Sequence, residues 1–176
     1  MKIKDIDFKP FITAAELDAT VARLADEVSH DYSGRDLVVC PILTGAFIFA
    51  ADLVRRLSVP AEVHFVRYSS YSGMASTGKV DCALSFGSEL RGRDVLIVED
   101  VVDTGLSMQQ MLRDVQAVGP ASVRVCTLLF KPDAFKGDFK VDYIGRRIGN
   151  EFIVGYGMDY DEQGRTLPEI MVREIR

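Results

Sequence analysis

The run Val95-Leu96-Ile97-Val98-Glu99-Asp100-Val101-Val102-Asp103-Thr104-Gly105-Leu106-Ser107 opens with aliphatic residues, passes through three acids and closes on a small polar turn. The aliphatics are too continuous for a half-exposed strand and predict one buried on both faces, as in a parallel sheet. Ligands in such sheets bind beyond the carboxyl ends of the strands, where everything polar in this run lies. Gly105 permits a positive φ or a close backbone approach. Met108, Met111, Leu112, Val115 and Val118 follow at helical spacing, so the N–H groups of Thr104 to Ser107 open a helix and favour a phosphate there. Glu99, Asp100 and Asp103 would repel that ligand unless they meet its hydroxyls, a cation or a proton. A phosphorylated sugar with Mg²⁺ satisfies all three. The alternative is an acidic strand-to-helix cap in which Asp103 or Thr104 simply satisfies backbone donors.

Alternation of helix and strand signals extends the pattern along the chain. Thr13 and Glu16 have capping-box spacing ahead of Leu17, Val21, Leu24 and Val28, which predicts a helix over 13–28. A second apolar run over 37–42 predicts another buried parallel strand, followed by the turn Leu43-Thr44-Gly45, a helix over 46–57 and a strand over 62–68 with Val63 and Phe65 on one face. The stretch 69–79 is rich in Ser, Gly and Thr and reads as a long loop. Strands over 80–85, 123–130, 141–144 and 152–155, with Gly119-Pro120 stopping the intervening helix, complete an α/β fold with a mostly parallel central sheet and small appended pieces.

At 176 residues the chain has the length of one domain. No window holds the roughly 18 uninterrupted apolar residues of a membrane span. The start, Met1-Lys2-Ile3-Lys4-Asp5, lacks the apolar core of a secretory signal, so the cytoplasm is expected. Cys40, Cys82 and Cys126 lie in apolar runs and read as buried free thiols. A net charge of −5 argues against nonspecific nucleic-acid or anionic-lipid binding. There is no Gly-x-x-x-x-Gly-Lys-Ser/Thr motif or dinucleotide fingerprint.

The stretch 95–107 resembles the phosphoribosyl pyrophosphate loop of the type I phosphoribosyltransferases, and residues 38–168 are similar to the hypoxanthine-guanine branch of that family. The resemblance implies the type I fold over 1–176, a central twisted sheet flanked by helices with a small hood from the terminal segments, the purine-binding part of it mainly over 131–176. It implies Mg²⁺-dependent transfer of phosphoribosyl from its pyrophosphate to hypoxanthine or guanine. Glu99 and Asp100 would hold the ribose hydroxyls and the metal shell, with Asp159 anchoring a second Mg²⁺ through water. Asp103, Thr104, Gly105, Leu106 and Ser107 would hold the 5′-phosphate, and Asp103 would also face the purine, either to take its proton or to stabilise the transfer electrostatically. Lys131 would donate to the 6-oxo group, Phe152 would stack on the base, and the Ile153 backbone would read its edge. Thr44 and Gly45, in a turn where the resemblance implies a cis peptide, would contact pyrophosphate, as would the Arg165 guanidinium. Ser69, Ser70 and Tyr71 would belong to a mobile lid, and the assembly would be a homodimer or homotetramer.

Departures from the family pattern are Thr44, where a basic residue is frequent, Gln163-Gly164 and Arg146-Arg147. The same lysine suits any 6-oxopurine, xanthine included. A noncatalytic sensor of phosphoribosyl pyrophosphate is the reading from another class, opposed by the presence of Asp103, Lys131 and Asp159 together.

Overall fold

The computed structural model describes residues 1–67 and 85–175. In chain order its elements are β1 (Lys2–Ile3), β2 (Ile6–Ile12), α1 (Ala14–Asp31), β3 (Leu37–Leu43), α2 (Phe47–Val54), β4 (Ala61–Val63) and β5 (Val66–Arg67). They continue with β6 (Asp94–Val102), α3 (Leu106–Val118), β7 (Ser122–Phe130), β8 (Tyr143–Arg147), β9 (Ile153–Val154) and β10 (Ile170–Arg173).

The central sheet runs β4-β3-β6-β7-β8, with β5 also on β3, and every described pairing in it is parallel. From β3 the chain crosses to the β4 edge, and from β6 it crosses the other way to β7. The strand order therefore reverses between β3 and β6, which makes their carboxyl ends the place where such sheets open a ligand crevice. Helices α1 and α2 cover one face, where Leu17, Val21, Leu24, Phe49 and Leu53 pack on Val39, Leu96 and Leu128. Helix α3 covers the other, with Met108, Met111 and Val115 on Val38, Cys40, Val95 and Ile97. Successive residues of β3 and β6 thus alternate between two cores, which is why both strands read as unbroken apolar runs.

Thr13 caps α1 as its spacing predicts: its Oγ1 accepts from Glu16 N at 3.3 Å, and the Glu16 carboxylate accepts from Thr13 N at 2.9 Å. Thr13→Ala is expected to cost about 1 kcal/mol, checked by urea denaturation at unchanged m-value. Cys40 and Cys126 are fully buried, and burial pushes the Cys40 thiol up to about 12 and that of Cys126 higher still. A thiol reagent at neutral pH is expected to titrate at most one cysteine in the native protein, namely Cys82, which lies outside the described residues.

Some expectations shift. Helix α2 ends at Val54, because Arg56 and Leu57 donate three residues back, to Leu53 and Val54, in a tighter last turn. The strand over 62–68 is interrupted between β4 and β5. Val63 and Phe65 are both exposed, Phe65 in the break, and Val66 is the buried residue. Residues 80–84 of the strand expected over 80–85 and the loop residues Ser69, Ser70 and Tyr71 lie outside the described residues, and Ser85 is not in a strand.

The hood is a separate antiparallel sheet ordered β1-β2-β10-β9, in which β2 from the amino end pairs with β10 from the carboxyl end. Its own small core is Ile3, Phe8, Val154 and Met171. Both termini build it, whereas β8, expected in the hood, is parallel to β7 in the central sheet.

Candidate active site

Strand β6 delivers two neighbouring carboxyls to the crevice. Glu99 Oε1 accepts from Asp100 N at 3.2 Å, and Asp100 Oδ1 accepts from Val101 N at 2.6 Å. Burial, reinforced by the negative charge of Asp100, drives the Glu99 carboxyl well above the usual carboxylate range. Burial also raises Asp100, against its hydrogen bonds to Glu99 and the backbone and the positive charge of Arg165. Adjacent, partly buried acids of this kind are relieved by a cation or by sugar hydroxyls.

The turn after β3 packs directly on them. The space that a β-carbon on Gly45 would need is filled by the Asp100 carboxylate, and the corresponding space on Gly157 is filled by the Gly45 carbonyl. Gly157, at left-handed φ and against backbone, has to be glycine for the loop after β9 to meet the 43–45 turn, and glycine at 45 lets that turn sit against the Asp100 carboxylate. The Leu43–Thr44 peptide is cis, as the family resemblance implies.

Beyond Asp100, Gly105 adopts φ +77 and starts α3 without any side-chain cap; the nearest substitute is a long 3.5 Å contact from Leu106 N to Thr104 Oγ1. A cavity of about 150 Å³ opens there, lined by Glu99, Val102, Asp103, Thr104, Gly105 and Ser107 among others. Uncapped helix N–H groups beside hydroxyls constitute an anion seat.

Lys131, only 9% exposed at the end of β7, donates from Nζ to Asp103 Oδ2 at 2.9 Å. Arg165 makes a matching pair: its guanidinium lies 2.9 Å from Asp159 Oδ1 and donates to Gly157 O at 3.0 Å. The acid expected near metal and the arginine expected on pyrophosphate are therefore partners in this state. Asp159 Oδ2 also accepts from Glu162 N at 2.8 Å. Between Tyr160 and Gln163, which pair across a tight turn, Asp161 and Glu162 both take left-handed φ, 48 and 65. That turn favours Asn-Gly, so Glu162→Gly is expected to raise stability by about 0.5–1 kcal/mol in chemical denaturation. Gln163-Gly164 thus forms the exit of the turn, and Arg146 is tied to α1 through Glu16 at 3.1 Å.

Phe152 stands at the hood with 42% of its surface exposed, 6.1 Å from the Phe8 ring and edge-on to Tyr160 at 5.6 Å. Tyr160 is oriented by its hydroxyl, which donates to Asp5 Oδ1 at 2.8 Å. Arg173 N donates to Phe152 O at 2.8 Å. Hydrogen-bonded and non-hydrogen-bonded pairs alternate in an antiparallel ladder, so the N–H and C=O of Ile153 turn to the open edge of β9, free to read a ligand. The backing by Phe8 and Asp5 was not foreseen, although the apolar positions Ile6, Phe8 and Ile12 were its signal.

A crevice at the strand-order reversal, with paired acids, an anion seat and a cation on each side, defines a protein that handles a phosphorylated sugar. The model of the phosphoribosyl transferase domain family matches residues 13–161, and the chain belongs to that family. Among curated relatives it is 42% identical to the hypoxanthine-guanine phosphoribosyltransferase of Mycobacterium tuberculosis, over 90% of this chain and 82% of that one. It is 41% identical to the hypoxanthine phosphoribosyltransferase of Escherichia coli K12, over 90% and 91%. A crystal structure of a hypoxanthine-guanine phosphoribosyltransferase from Bacillus anthracis superposes with a TM-score of 0.86 at 35% identity, covering 97% of this chain and 98% of that one.

Proposed function

We propose that this chain carries out purine salvage, transferring 5-phosphoribosyl from phosphoribosyl pyrophosphate to hypoxanthine or guanine to give IMP or GMP and pyrophosphate. The observation that carries the reading is the Lys131–Asp103 pair at 2.9 Å on the rim of the anion seat. It sets a proton donor beside a proton acceptor, matching the 6-oxo group and the neighbouring ring nitrogen of a 6-oxopurine. As the purine nitrogen forms its bond to the anomeric carbon and the bond to pyrophosphate breaks, the ring loses a proton, and Asp103 takes it. Lys131 holds the 6-oxo group, Phe152 the ring face and the Ile153 backbone the ring edge. The first turn of α3 and the hydroxyls of Thr104 and Ser107 fix the 5′-phosphate, which orients the ribose. Thr44, Gly45 and Arg165 face the pyrophosphate. Ser69, Ser70 and Tyr71 remain the proposed lid.

Mg²⁺ is commonly held by one or two carboxylates together with substrate phosphates, and the adjacent acids Glu99 and Asp100 fit that need, with Asp159 as a further candidate. When bound, the ion would neutralise charge on the leaving pyrophosphate. A homodimer or homotetramer in the cytoplasm, without nucleic-acid or membrane partners, belongs to the same proposal. The net charge of −5 argues against nonspecific binding to nucleic acid or anionic lipid, and among the described residues no helix is long and apolar enough to cross a membrane.

The test is a panel of hypoxanthine, guanine, xanthine and adenine with Mg²⁺ and phosphoribosyl pyrophosphate. Nucleotide should form from 6-oxopurines, with adenine poorer by up to about 10⁴–10⁵ because its amino group cannot accept from Lys131 and its unprotonated ring edge mismatches the Ile153 backbone. Binding of the ribose donor without turnover of any base would overturn the enzymatic reading.

A further inference from the structure

We propose that residues 131–140 form a strap that sets the conformation of the phosphate loop, with Phe135 as its positioning residue. This rests on the reading that the loop 103–107 receives the 5′-phosphate. The loop has no side-chain cap of its own, so its shape has to be imposed from outside. Three independent contacts do this. Lys136 N donates to Thr104 O at 2.9 Å, which holds the loop backbone one residue before Gly105. The space for a β-carbon on Gly105 is occupied by the edge of the Phe135 ring, with Phe139 immediately beyond. Asp138 N reaches Gln109 Oε1 at 3.4 Å, tying the far end of the strap to the first turns of α3.

The rings are themselves anchored. Phe135 lies edge-on to Phe130 at 5.2 Å, which belongs to β7, and edge-on to Phe139 at 5.1 Å. Gly137 lets the strap fold tightly over both rings, since a β-carbon there would meet Phe135 and Phe139. The strap begins at Lys131, whose side chain grips Asp103, so it clasps the loop at Asp103, Thr104 and Gly105 in succession. Removing the Phe135 ring leaves open space beside a left-handed glycine, and the backbone donors of Leu106 and Ser107 then lose their fixed aim. Binding that depends on preset donors is sensitive to displacements on the order of 1 Å.

The experiment compares Phe135→Ala, Phe135→Leu and Phe139→Leu in the full chain with Mg²⁺. For Phe135→Ala the KM for phosphoribosyl pyrophosphate should rise about tenfold, the scale of one lost aromatic contact, while kcat and the KM for hypoxanthine stay within about threefold. Phe135→Leu should recover much of the loss. Calorimetric binding of IMP and of inosine isolates the phosphate, and the IMP-to-inosine affinity ratio should fall by about the same factor. If Phe135→Ala does not fold, Phe139→Leu carries the test in the same direction. An unchanged ratio in a folded variant, or an equal loss for phosphorylated and unphosphorylated ligands, would overturn the positioning role. The ratio is read from binding alone, so a parent protein inactive on every base would overturn the enzymatic reading while the strap is still judged.

Discussion

Asp103→Asn is expected to lower kcat by about 10²–10⁴-fold, the usual contribution of a positioned general base, while the KM for phosphoribosyl pyrophosphate stays within about threefold. The asymmetry follows from where the carboxylate sits. Asp103 lines the anion seat at its rim, but the seat itself is made from backbone N–H groups of α3 and the hydroxyls of Thr104 and Ser107. Asparagine keeps the shape and can still accept from Lys131 Nζ, so the loop geometry is retained. What disappears is the ability to take a proton from the purine. Stability should change little, because the Asp103 side chain is 48% exposed and solvent screens the loss of its pair with Lys131. Steady-state kinetics on both substrates with a thermal melt make the comparison. A variant with undiminished kcat would remove Asp103 from the chemistry.

Local signals explain what the sequence reveals of this architecture. The Thr13–Glu16 capping box, the aliphatic runs of β3 and β6 and the apolar stripe of α3 each lie within one element, and each is found where its spacing places it. The pairing of β2 with β10 is invisible locally, since Phe8 meets Arg173 across nearly the whole chain. β10 is short, and the two strands carry Pro10, Lys9 and Arg173, a weak strand pattern. Phe152 was identifiable by resemblance, but Phe8 behind it was not. The same distinction separates the glycines. Gly105 is legible as the residue between a strand and a helix, whereas Gly45 and Gly157 are fixed by each other and by Asp100. The ion pairs Lys131–Asp103 and Arg165–Asp159 also escape sequence reading, which assigns each side chain to a ligand and not to its neighbour. Lys131 and Arg165 each pair with a carboxylate of the site, so ligand groups that meet them must exchange with partners already present.

Lys131→Met tests that exchange at the base. It is expected to lower kcat/KM for hypoxanthine by about 10–150-fold, equivalent to the 1.5–3 kcal/mol of a hydrogen bond to a charged group, with the KM for phosphoribosyl pyrophosphate nearly unchanged. Methionine fills much of the buried path of the lysine stem, so packing at the end of β7 is preserved. The Asp103 carboxylate loses its partner, and the 6-oxo oxygen of the base loses its donor. Adenine never used that donor, so the preference for hypoxanthine over adenine should shrink by a similar factor. A general loosening of the site would instead weaken both bases alike. Because Lys131 and Asp103 touch, combining Lys131→Met with Asp103→Asn should be less damaging than the product of the two single effects, with a coupling of about 0.5–3 kcal/mol. An unchanged hypoxanthine-to-adenine ratio would show that Lys131 serves only to hold Asp103, and discrimination would then have to reside in the open backbone edge at Ile153.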